Sequence, residues 1–145
     1  EHELLPLCRE EGIGVMVWSP LAGGFLTGKF RRSEGDKPEG SRRSSFDFPP
    51  LDKEKAYDVV EVLDSIAEAK GATIPQLALA WLLHQKGVST VIIGAKKMSQ
   101  LDDNLGSVDI EFTPDELERI DEVTKPATQY PQWMIELQSG GQRPR

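Results

Sequence analysis

The chain has 145 residues, 38% of them hydrophobic, with 13 glycines and a formal net charge of −7, which suits one globular domain with a real core. The acidic balance disfavours nucleic acid and anionic membrane surfaces as partners, because both are polyanions, and no apolar run nears the ~18 residues of a membrane span. Cys8 is the only cysteine, so no disulfide framework forms within the chain; with no signal peptide at its start, a cytoplasmic location is expected.

Residues 1–11 read as a helix, with Leu4, Leu7 and Cys8 on one face and Gly12 at its end. A chain that opens on a crossover helix has no strand to cross over from, which leads us to expect an N-terminal part ahead of it. Residues 13–18 then form an apolar run that breaks at once into Ser19-Pro20-Leu21-Ala22-Gly23-Gly24. Such a run bounded by turn signals predicts a strand buried on both faces, as in a parallel sheet. Ligand sites of α/β folds lie beyond the C-terminal ends of such strands.

Residues 19–50 form a long connection rich in Gly, Ser, Arg and Pro, about twice the length at which structureless loops become uncommon. Asp52 caps a helix in which Ala56, Val59, Val60, Leu63, Ile66 and Ala67 recur at helical spacing, and Gly71 closes it. Thr73-Ile74-Pro75-Gln76 is a capping box, and residues 77–83 after it are apolar nearly all round, predicting a heavily buried helix packed on the sheet. A second strand covers residues 88–93 and ends in Gly94-Ala95-Lys96-Lys97, repeating the design of buried strand and small residues, now followed by cations. A short helix follows over 98–105. Thr113-Pro114-Asp115-Glu116 is a second capping box, opening a helix to about residue 124. Residues 125–145, with Tyr130 and Trp133, read as a tail lying on a surface. The order predicts an α/β fold with a parallel sheet, divided into 1–124 and the tail 125–145.

Several residue groups carry chemistry. Gly23-Gly24-Phe25-Leu26-Thr27-Gly28-Lys29-Phe30 nearly matches a nucleotide triphosphate loop, but Phe30 stands where a magnesium-binding hydroxyl is needed, and no helix follows. The glycines still permit close approach to a phosphate. Trp18 is either a core residue at a strand end or a flat surface for an aromatic ligand ring. Lys96 and Lys97 are either solvated or, just before a helix N-terminus, an anion site. Asp103 and Asn104 either fill a helix face or meet an adenine edge, since an amide can donate and accept there and a carboxylate can take amino protons. The cations at Lys29 to Arg32 and Arg42 to Arg43 leave local anion binding open. Glu61, Asp64 and Glu68 read as a solvated helix face. His2 and His84 have no partners at metal-ligand spacing, and Cys8 is not in an activating setting.

Together these motifs resemble the aldo-keto reductases. The resemblance rests on Trp18-Ser19-Pro20-Leu21-Ala22-Gly23-Gly24, Gly28-Lys29, residues 73–81, and Gly94-Ala95-Lys96-Lys97 with Gln100, Asp103 and Asn104. It is closest to the branch that includes bacterial general reductases and potassium-channel β subunits, and it covers essentially the whole chain. It implies the C-terminal half of a (β/α)8 TIM barrel, from helix six to the tail and including strands seven and eight. The family's catalytic Asp, Tyr, Lys and His belong to the other half, so the resemblance implies no catalytic residue here.

It implies an NADP(H) site instead. Trp18 would stack on nicotinamide; Ser19, Pro20, Leu21, Ala22 and Gly23 would wrap the pyrophosphate, with Lys29 adding charge. Arg42 would approach the phosphate on the adenosine ribose. Gly94, Lys96 or Lys97, and Gln100 would line that same pocket, while Asp103 and Asn104 would hold adenine. The implied parent is an NADPH-dependent oxidoreductase reducing aldehydes or ketones to alcohols. Its partners would be a small-molecule carbonyl substrate and either the other half of the barrel or further copies of the chain. The rival readings are a nucleotide-sensing regulatory subunit on the same fold and a truncated chain without independent activity.

Overall fold

A computed structural model describes residues 2–33, 43, 46–128 and 130–138. Helix α1 (Leu4–Glu10) leads into strand β1 (Val15–Val17) and then a tight 3-10 segment (Ala22–Thr27). Helices α2 (Lys53–Lys70) and α3 (Ile74–His84) follow, then strand β2 (Val88–Val91). Helix α4 (Met98–Leu105), a 3-10 turn (Gly106–Asp109), helix α5 (Pro114–Thr124) and helix α6 (Gln132–Gln138) complete the order.

The helix limits follow from the capping chemistry. The Asp52 side chain accepts from the Lys55 N–H, and Gly71 at φ 64° closes α2 in the left-handed conformation that glycine tolerates best. Thr73 with Gln76, and Thr113 with Glu116, form complete capping boxes, each with proline in the first turn. Each box satisfies two backbone donors that the helix start would otherwise leave open.

Helix α3 is the spine. Leu77 and Leu79 are fully buried, and Ile74, Ala78 and Ala80 are buried beside them. The helix packs against α2, α4, β2 and the 3-10 segment. Phe25, Phe30, Tyr57, Val60, Leu63, Ile66 and Ile120 complete the core, so the 3-10 segment, α2 and α5 share one apolar interior. Phe25 and Phe30 stack with centroids 4.7 Å apart. The glycine-rich segment is thereby anchored from below by its own aromatic residues. Trp81 adds a polar tie, its indole N–H donating to Asp121 at 2.9 Å.

β1 and β2 pair in parallel, with Val15 opposite Val88, Met16 opposite Thr90 and Val17 opposite Val91, and a register irregularity after Val15. The strands are shorter than the apolar runs predict, and less covered. Val15 and Val17 are half-buried, but Met16 is 61% exposed, and Ile13, Trp18 and Ile92 are exposed too. The expectation of burial on both faces is therefore not met: β1 alternates between half-buried and exposed residues with period two, and in β2 Ser89 and Thr90 are both exposed between half-buried Val88 and Val91.

One further expectation is corrected. The Leu4 and Leu7 face of α1 points outward, leaving these residues 73% and 52% exposed, and Cys8 is half-buried rather than in a core. The tail after residue 124 carries one helix, α6. The 3-10 segment folds within the long connection.

Each strand has one edge paired to the other and, among the described residues, no second neighbour. Open edges and exposed apolar residues of this size drive association. We expect the purified 145-residue chain to sediment as an assembly rather than as a compact monomer. A monomer with cooperative unfolding would show that these residues close their core unaided.

Candidate functional site

The parallel pairing sets the site. The Ile92 N–H donates to the Val17 carbonyl at 2.9 Å, so the two chains leave the sheet side by side. Beyond their C-terminal ends lies a cavity of about 820 Å3. Its walls include Trp18, Ser19, Pro20, Leu21, Gly23 and Lys29 from the first strand's side, and Gly94, Lys96, Lys97, Gln100, Asp103 and Asn104 from the second. Two of the residues implicated by sequence are not among them. Ala22 does not line the cavity, and Arg42 lies outside the described residues.

The turn after β1 is held in unusual backbone conformations. Ser19 and Ala22 have φ of 56° and 50°, a region few residues with a Cβ adopt, and Gly23 and Gly24 continue it at 66° and 94°. The turn is closed from within by Ala22 N–H to Ser19 O at 2.9 Å and Gly24 N–H to Leu21 O at 2.8 Å. A Cβ on Gly23 would meet the Phe48 carbonyl oxygen at 2.3 Å. Glycine is thus required there by close packing of the chain on itself, whereas Gly24 has open space around it. The Trp18 indole, 62% exposed, tilts against Phe48 with centroids 6.1 Å apart, so it is no core residue and one face of its environment is aromatic.

The second wall is organised by the start of α4. The Gln100 side chain accepts from the Lys96 N–H at 2.9 Å and ties the lysine loop to the helix. Lys96 and Lys97 are exposed. A Cβ on Gly94 would meet nothing within 4 Å, so its lack of a side chain leaves room for a ligand. Both oxygens of Asp103 accept from the Thr73 hydroxyl, at 3.1 and 3.0 Å, joining α4 to the start of α3. A carboxylate retains acceptor capacity beyond that bond. Asn104 is buried on the same wall.

The cation cluster divides. Arg31 forms a two-pronged pair with Asp64, and Arg32 reaches Glu54, Asp58 and Glu61 along the face of α2. These arginines are drawn to the acidic helix, and Asp64 and Glu61 are not merely solvated. Lys29 instead stands exposed at the cavity. The His84 Nδ1–H donates to the Ala80 carbonyl at 2.9 Å and the ring meets Phe112 edge-on, a structural role. No metal-binding cluster occurs among the described residues, and no described helix is long and apolar enough to cross a membrane.

The sequence reading missed Thr27, Phe30, Pro75 and Ile92–Ala95 apart from Gly94 as wall residues. Pro75 had a usable signal, since it sits in a capping box whose helix start faces the cavity. It also missed Arg43, whose buried guanidinium braces the turn from behind. Two adjacent arginines in an aperiodic loop give no sign of which one turns inward.

The model of the Aldo/keto reductase family matches residues 1–125. The chain belongs to the aldo/keto reductase family. The fold of that family is a (β/α)8 barrel, and the described residues contribute a mixed α/β part with two parallel strands. A Schizosaccharomyces pombe protein, named provisionally as a voltage-gated potassium channel subunit beta, is 43% identical over 132 residues, covering 85% of this chain and 37% of its own. An Arabidopsis thaliana protein with a similarly provisional name of the same kind is 38% identical over 138 residues, 91% of this chain and 42% of its own. The NADH-specific methylglyoxal reductase of Escherichia coli K12 is 37% identical over 113 residues, 78% of this chain and 34% of its own. This aldo/keto reductase chain therefore spans well under half the length of these curated relatives.

The charge pairs around the site give a pH signature. The Arg31 guanidinium holds the Asp64 carboxyl below its ordinary range, against a smaller upward push from burial. Burial pushes Glu116 upward, but the Thr113 N–H and Lys70 outweigh it and leave that carboxyl lowered as well. A folded-state value below the unfolded one stabilises the protein above the ordinary carboxylate range, and the gain is lost as pH falls through the folded value. Asp64 is half-exposed, so Asp64→Asn should cost only about 0.2–1 kcal/mol at neutral pH. Urea midpoints should show that cost shrinking as pH drops below about 4. A cost independent of pH would mean that the charge pair is not its source.

Proposed function

We propose that these residues form the NADP(H)-binding part of an aldo/keto reductase whose whole barrel reduces aldehydes or ketones to alcohols. One observation carries the reading: a single cavity at two adjacent strand ends gathers the turn after β1, the lysine loop after β2 and the start of α4. Its volume of about 820 Å3 falls in the ~300–1,000 Å3 range of small-molecule sites. The residues fit a dinucleotide in kind: an exposed indole, a side-chain-poor turn, three exposed lysines and a buried carboxamide share one wall system.

In this reading Trp18 offers its face to the nicotinamide ring, and residues 19–23 curve around the pyrophosphate with Lys29 adding charge. Lys96 or Lys97, steadied through Gln100, meets the ribose phosphate beside Gly94, and Arg42 approaches it from the long connection. Asp103 and Asn104 hold the adenine edge. Bound NADPH supplies the hydride that a carbonyl carbon receives. This chain's residues orient the dinucleotide, while the proton donor belongs to the rest of the barrel, provided by the same polypeptide or by a separate chain. Residues 1–124 make up the C-terminal half-barrel and 125–145 its tail, acting in the cytoplasm on a small carbonyl compound.

A second reading is a nucleotide-binding regulatory subunit, favoured by the two relatives named as channel β subunits. Turnover distinguishes the two in a complete barrel. For the 145-residue chain alone, we expect no NADPH-dependent reduction across a panel of aldehydes, since a general acid commonly contributes ~10²–10⁴-fold. Saturable turnover by the pure chain would overturn the half-barrel assignment.

Cofactor choice is tested separately, and the NADH-specific name of the bacterial relative makes the comparison pointed. A charge-assisted hydrogen bond to the extra phosphate contributes ~1.5–3 kcal/mol when well placed. Replacing Lys96 and Lys97 with Ala should therefore weaken NADPH binding by about tenfold or more relative to NADH in a fluorescence titration. An equal loss for both cofactors would show that the lysines serve only the general field of the cavity.

A further inference from the structure

Arg43 is the only fully buried charged side chain among the described residues, with 4% of its surface exposed. A buried guanidinium is costly unless it is paired and hydrogen-bonded, and this one is both. Its Nη1 donates to the Ala22 carbonyl at 2.9 Å. Its Nη2 donates to the Pro49 carbonyl at 2.9 Å and to the Asp47 carboxylate. The cationic carbon lies 5.9 Å from the Phe25 ring centroid, above the stacked Phe25–Phe30 pair.

One planar group thus joins three pieces of chain: the turn after β1, the 46–49 segment and the aromatic floor of the core. The joint falls where the backbone is strained. Ala22, whose carbonyl Arg43 holds, has φ of 50°, and Gly23 is pressed against the Phe48 carbonyl so closely that no Cβ fits. A left-handed conformation at a residue with a Cβ persists only where its surroundings over-determine it. Arg43 supplies that constraint from the side of the turn away from the cavity, and it is not itself a wall residue.

We propose that Arg43 is the positioning residue of the turn 19–24, fixing the wall on which the pyrophosphate of either dinucleotide rests. The inference depends on the dinucleotide reading of the cavity. It separates two roles among the cations: the lysines after β2 distinguish the ribose phosphate, while Arg43 sets affinity for the portion that NADPH and NADH share. Lysine cannot replace it fully, because a single ammonium lacks the planar fork that reaches two carbonyls and a carboxylate at once.

The test compares the full chain with Arg43→Lys, Arg43→Met and Gly23→Ala; the last disturbs the same joint with Arg43 intact. Amide hydrogen exchange is followed by mass spectrometry, and NADPH and NADH are titrated separately by fluorescence. In each variant exchange should quicken in 18–27 and 46–49 while α2 and α3 keep their protection. Both dinucleotides should lose affinity by the same factor, about tenfold or more for Arg43→Met, with Arg43→Lys recovering part of it. Unchanged affinity, a loss confined to NADPH, or quickened exchange throughout α2 and α3 would each overturn the proposal; the last would make Arg43 a general brace of the fold. If the unaltered chain binds neither dinucleotide while the variants still loosen the turn, the dinucleotide reading has failed and Arg43 has no such ligand to position.

Discussion

The parallel contact between β1 and β2 is the constraint on which the rest of the site depends. Parallel strands end at the same edge of a sheet, so the loops that follow them become neighbours although about seventy residues of sequence separate them. The bond from Ile92 N–H to Val17 O is the last rung of that ladder, and the cavity opens directly beyond it. Helix α3 supports the pairing by packing against β2, with Leu77 and Leu79 fully buried along it. Its first turn is held by the Thr73 capping box, and the same Thr73 hydroxyl reaches Asp103 on the far wall. One side chain therefore serves helix initiation and site assembly together.

Electrostatics are partitioned in a way the net charge conceals. The acidic face of α2 collects Arg31 and Arg32 into exposed or half-exposed pairs, which individually contribute little to stability. Lys70 and Glu116, less exposed, tie α2 to α5 at 2.9 Å. The lysines at 29, 96 and 97 are exposed along one cavity. A chain of net charge −7 can in this way present a cationic concavity, and a concave site concentrates the field of a few charges more than a flat surface does. An acidic protein is then no obstacle to an anionic ligand.

The strain in the turn after β1 and the burial of Arg43 are two sides of one arrangement. Backbone held at positive φ without glycine has to be stabilised elsewhere, and buried charge has to be fully paired. Here each requirement answers the other, with the Ala22 carbonyl as the shared atom. The aromatic pair beneath gives the joint a rigid base, and the exposed row of Trp18, Phe48 and Phe46 continues outward from it. A wall built this way is fixed before a ligand arrives, which lowers the ordering cost of binding.

The helix caps were legible in the chain itself. Asp52, Thr73 with Gln76, and Thr113 with Glu116 announce their helices, because a cap is a matter of residues three or four apart. The apolar runs before Ser19 and Gly94 announced strands, and the small residues and lysines after them marked the walls of the cavity. Contacts between distant segments were not legible. Nothing local says that Arg31 and Arg32 pair with α2 while Lys29 faces the cavity, since all three sit together in one basic run. Nor does sequence say that Met16 and the Leu4–Leu7 face stay exposed, because an apolar residue records a tendency to be covered and not the presence of a cover. The inward turn of Arg43 was decided only in three dimensions, where two carbonyls, a carboxylate and an aromatic ring from separate segments converge on one guanidinium.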